Sequence, residues 1–165
     1  MRRSRSIALV GLAAAGLGGC AGDPPRAPLS YPDSGVSSCA LSAQYRDVGL
    51  GISVDHHADG PITIEAVRAE GARDLEVVGA ALVDVGSHYR TGFGPWPIEP
   101  DRRWGTPRTA FGRTVPAGEH VDLVVHLRRT AESGTADDLV IEYRAGGRQY
   151  AADVHQAVSI DPTCA

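Results

Sequence analysis

The densest collection of chemically capable side chains lies between Val85 and Thr109, a stretch holding both tryptophans and one of the two phenylalanines of the 165-residue chain. Tyr89, Phe93, Trp96 and Trp104 offer flat apolar faces there. Arg90, Arg102 and Arg103 can stack on rings or make bidentate bonds to carboxylate or phosphate. Pro95, Pro97, Pro100 and Pro107 would pre-organise the segment. Two readings follow: a partner-binding loop, or a long crossover that folds back and uses its aromatics to cover an edge or end of its own core.

A second cluster, Asp55, His56, His57 and Asp59, holds possible metal ligands. Neighbouring residues on a regular strand point to opposite faces, so both histidines reach one ion only if a turn bends them together. The spacing matches no zinc or copper signature, and the only methionine is Met1. His126 and His155, the latter near Asp153, are expected on a non-core face by alternation, and His88 and His120 in loops. Zinc or copper binding at His56 and His57 is therefore the alternative to a binding module. Glu99 and Asp101 read as solvated charge. Gly-x-Ser-x-Gly, SxxK, HExxH and phosphate-loop patterns are all missing, so neither catalysis nor a cofactor is expected.

Strands must position these residues. Val48, Leu50, Ile52 and Val54 alternate with Gly49, Gly51, Ser53 and Asp55, as in a half-buried strand. Asp59-Gly60 follows, and then Ile62 and Ile64 alternate with Thr63 and Glu65, which predicts a hairpin from Leu50 to Val67 turning near residues 58–60. Leu75 to Val78 and Ala81 to Val85, separated by Gly79, predict one bent strand or two. Phe111 to Val115 leads through a tight turn at Pro116 to Glu119. Val121, Leu123, Val125 and Leu127 then alternate with Asp122, Val124, His126 and Arg128. Leu139, Ile141 and Tyr143 before Gly146-Gly147, with Tyr150, Ala152 and Val154 after it, predict a last hairpin. Val158 and Ile160 close the pattern.

Seven to eight short strands with turn signals about every ten residues and no amphipathic helix predict an all-β, antiparallel β-sandwich. From about Ser38 to Pro162 the pattern resembles immunoglobulin-like or fibronectin-type domains. The resemblance is architectural, because the buried Trp and inter-sheet cysteine pair of antibody domains are absent. It implies roles in adhesion, assembly or ligand binding without choosing among them.

The N-terminus reads as an export signal: Arg2, Arg3 and Arg5, then Ile7 to Gly19 without a charge, too short for a stable transmembrane helix. Leu17-Gly18-Gly19-Cys20 resembles the lipobox of bacterial lipoproteins, which implies removal of residues 1–19, lipid on Cys20 and an extracytoplasmic domain anchored to the cell membrane. The alternative is an ordinary secretory leader with an incidental cysteine. Residues 20–38, rich in Pro, Gly, Ser and Ala, read as a tether, and 39–165 as the domain. With Cys20 assigned to lipid, Cys39 and Cys164 remain as an even pair in an oxidising compartment and are expected to form a disulfide that ties the ends of the domain.

All 16 cations are arginine, against 20 acids. Loss of residues 1–19 removes three of those arginines and leaves 13, for a net charge of −7. Such a surface argues against nucleic acid and against electrostatic adhesion to anionic lipid, so membrane contact falls to the lipid alone. The expected partner is an envelope protein or cell-wall ligand.

Overall fold

Alternating apolar residues become strands when their apolar row finds a second sheet to cover it. The computed structural model describes residues 28, 29, 31, 35–54, 59–85, 90–103 and 105–164. In chain order its strands are β1 (Val36–Leu41), β2 (Asp47–Val54), β3 (Ile62–Glu70), β4 (Leu75–Asp84), β5 (Phe93–Pro95) and β6 (Arg108–Thr109). They continue with β7 (Thr114–Val115), β8 (Val121–Arg129), β9 (Gly134–Ala136), β10 (Asp138–Ala145), β11 (Arg148–Asp153) and β12 (Gln156–Asp161). No helix occurs among the described residues.

Three sheets result, with strand orders β5-β2-β8-β4-β6, β11-β10-β3-β7 and β1-β12-β9. Every pairing is antiparallel except β1 with β12. The two larger sheets face each other as a sandwich. Val48, Leu50, Ile52, Leu82, Leu123, Val125 and Leu127 from one meet Ile62, Ile64, Leu139, Ile141 and Tyr143 from the other in a single core.

Among the described residues there are twelve strands rather than seven to eight, because short pieces of the 86–109 segment and of the β1 and β12 region also pair. The predicted Leu50 to Val67 hairpin is not formed: β2 and β3 belong to opposite sheets, so the turn near Gly60 is a crossover. The Pro116 to Glu119 turn likewise carries the chain from β7 in one sheet to β8 in the other. Turn residues mark where a chain reverses without saying which layer it enters. Leu75 to Asp84 is one strand with an irregular register between Val77 and Gly79. The β10–β11 hairpin forms as predicted. Ala145 pairs with Arg148 across Gly146 and Gly147, whose φ values of 54° and 77° suit a two-residue turn with both central residues left-handed.

Packed structure reaches upstream of Cys39. Leu29 is 2% exposed within the core, and its backbone N–H donates to the buried Tyr143 hydroxyl at 3.1 Å. Burial pushes the Tyr143 phenol up from its ordinary value. Cys39 lies inside β1 and bonds to Cys164, just beyond β12, with the two Cα atoms 5.7 Å apart.

Candidate functional site

The predicted strand Val121 to Arg128 was expected to show one face to solvent, yet β8 is buried on both. Its second face is roofed by the segment that follows β4. From Arg90 this segment pairs as β5 along β2 at one edge of the five-stranded sheet, crosses the outer face, and pairs as β6 along β4 at the other edge. It is a strap fastened to both margins of the sheet.

Glycines on β2 make room for it. A Cβ on Gly51 would overlap Thr91 Oγ1 and stand 2.9 Å from the Gly92 nitrogen. One on Gly49 would stand 3.1 Å from Val124 Cγ1 and 3.5 Å from Trp96 Cε3. The Gly51 N–H donates to the Gly92 carbonyl at 2.7 Å. Glycine inside a strand often marks such a close approach of a second chain segment.

Three contacts hold the strap down. Asp122, 1% exposed, accepts hydrogen bonds from Ser53 Oγ (3.0 Å), the Thr91 N–H (2.6 Å) and Thr91 Oγ1 (2.9 Å), with the Arg90 guanidinium 3.8 Å away. Val83, Val85 and Val124 form a small outer core against which Trp96 and Ile98 pack. The Trp96 indole also stacks on the His126 ring, with centroids 4.4 Å apart and planes within 10°. His126 Nε2 in turn lies 2.6 Å from Asp47 Oδ1, which accepts from Arg128 Nε at 2.7 Å. Burial pushes the Asp47 carboxyl up, but its hydrogen bonds to His126 and Arg128 outweigh this and hold it below the ordinary carboxylate range.

Between strap and sheet lies a cleft of about 490 Å³, floored by Gly49 and Val124 and walled by Trp96, Pro97 and Ile98, with Glu99 and Asp101 as its charged lining. Further along, Asp101 and Gly105 exchange backbone bonds of 3.2 and 2.7 Å, closing a small hairpin around Arg102 and Arg103. Arg103 forks onto Asp101 through Nε (2.9 Å) and Nη2 (3.0 Å), and its N–H donates to the same carboxylate at 2.8 Å. Those side-chain bonds, followed by the backbone one, hold the Asp101 carboxyl below its ordinary value. Asp101 is thus committed to the strap's own hairpin.

The candidate residues are therefore only partly gathered. Phe93 turns toward the main core, Trp96 lies half-buried on the outer face, and Arg90, Arg102 and Arg103 are exposed. Tyr89 and Trp104 lie outside the described residues, as do His56, His57, His88 and Cys20. His126, expected on a non-core face, lies on a covered one, and His155 sits outside that sheet, 3.9 Å from Asp138. Among the described residues no group of three His, Cys, Asp or Glu side chains could hold a metal ion.

Alternation alone missed Asp47, Thr91 and Asp122, the residues that seat the strap. The usable signal was the pair of glycines in β2, Gly49 and Gly51. No family model, curated protein or solved structure matches the chain.

Proposed function

We propose that this chain is a lipid-anchored, extracytoplasmic interaction module of the cell envelope. In this reading a non-enzymatic, immunoglobulin-like sandwich offers its strap to a partner protein or cell-wall ligand. The observation that carries the reading is the strap's construction. It is pinned at both sheet edges and by buried Asp122, yet it holds a cleft of about 490 Å³ beside a half-buried Trp96. Rigid, half-buried aromatics beside exposed arginines are the usual anchors of protein interfaces.

Strand pairing supports the immunoglobulin-like part of the proposal. The run β4-β8-β2 opposite β3-β10-β11 reproduces the order D-E-B opposite C-F-G, with β5, β6 and β7 as short additions at the edges. The anchor rests on the resemblance of Leu17 to Cys20 to a lipobox.

Photo-crosslinking residues placed at Glu99 and Arg102, and at Arg148 on the opposite sheet, test the binding face in intact envelopes. Adducts at the two strap positions and not at Arg148 are expected, and adducts at Arg148 alone or at none of the three would end the proposal. Metabolic palmitate labelling that disappears in Cys20→Ser is the matching expectation for the anchor.

A further inference from the structure

Among the described residues the three sheets present six edges, and five of them are blunted in the ways that keep proteins from pairing edge to edge. β6 and β7 have two residues each, and β5 has three, including Pro95. β9 has three, and its outer side is bridged by Arg73 through Thr135. β11 is six residues long but carries Arg148 and Asp153. β1 is different: six residues, Val36-Ser37-Ser38-Cys39-Ala40-Leu41, with no charge and no proline. Val36 is 48% and Leu41 37% exposed, two of the four large apolar side chains that reach the surface among the described residues. No described strand pairs with its outer side.

We propose that two copies of this chain pair through β1, edge to edge and antiparallel. The strand's neutrality selects the occupant. An interface between identical copies apposes a patch with itself, so any net charge there would meet its like. The chain's overall charge of −4 opposes association of two copies, and β1 adds no charge to that opposition. Neutrality extends to the hollow of about 310 Å³ beside β1, lined by Leu41, Gln44, Tyr45, Val48, Phe93 and Gly94. A foreign strand would place no such demand and could exploit charges of opposite sign. A two-fold axis normal to the sheet requires residues of the same parity to face each other; an axis at Ser38 would set Val36 opposite Ala40 of the second copy.

The test is the mass of the full-length chain in detergent by sedimentation, with Val36→Lys and Ser37→Lys as edge variants and Gln149→Lys on β11 as control. A two-chain mass at about 100 µM is expected, with each β1 variant weakening the dimer at least tenfold and the β11 variant leaving it intact. A one-chain wild type overturns the proposal, and so does a dimer that both β1 variants leave unchanged. Should the lysine variants fail to fold, hydrogen exchange of the wild type decides: β1 amides must gain protection as concentration rises, and concentration-independent exchange there refutes the pairing.

Discussion

Asp47 shows how one carboxylate ties the strap to the sheet. It holds His126 under Trp96 and shares its Oδ1 with Arg128, and these bonds keep its carboxyl below the ordinary carboxylate range despite partial burial. A depressed folded value means that the stability it contributes is complete above the unfolded carboxylate range, near pH 4, and is lost as pH falls through the folded value. Asp47→Asn should therefore cost about 1–2 kcal/mol at neutral pH and make the acid limb shallower, because the variant has no such proton to take up. Urea midpoints of both proteins from pH 7 down to about pH 2 check this; parallel curves would show that Asp47 carries no linkage. Asp122 binds the strap differently, accepting two hydrogen bonds from Thr91 alone while fully enclosed. No sequence pattern announced either role, since a polar residue on alternate positions reads the same whether it meets water or a buried network.

At the scale of the element, the strap exists because β2 lacks side chains where it passes. Gly51→Ala would drive a methyl group into Thr91. The expected result is a loss of about 1–3 kcal/mol, the usual range for overpacking, with the strap lifted from β8 while the sandwich remains folded. Near-UV circular dichroism should show altered tryptophan signals as Trp96 leaves His126, with the far-UV spectrum unchanged. An unaltered near-UV spectrum with an unaltered urea midpoint would mean that the strap does not need the glycine. Strands were legible wherever an apolar row alternated, and the β10–β11 hairpin was legible to its turn because two adjacent glycines admit few alternatives. The β2–β3 and β7–β8 connections were not, because Asp59-Gly60 and Pro116 to Glu119 fit a hairpin and a layer crossing equally well. β5 and β6 went unseen for another reason: two or three residues cannot show a period.

Across the whole molecule, the Cys39–Cys164 bond joins positions 125 apart and so restrains nearly the entire described fold. By the chain-entropy argument its reduction should remove on the order of 4–5 kcal/mol from the unfolding free energy, less any native strain. Denaturation with and without dithiothreitol measures it, and a change below about 1 kcal/mol would contradict the argument. This pairing was legible from cysteine parity, whereas the docking of Leu29 was not, being one apolar residue in a proline-rich stretch without periodicity. That docked leucine has a further consequence. With lipid on Cys20, only nine residue steps separate the bilayer surface from the core, a leash of roughly 30 Å even when fully drawn out. Pro28 shares a hollow with Gly60, Pro61, Gly146 and Gly147, so the turns at that end would ride lowest over the lipid headgroups. A domain so anchored would stay within that leash of the bilayer surface and would search only the space just above the membrane.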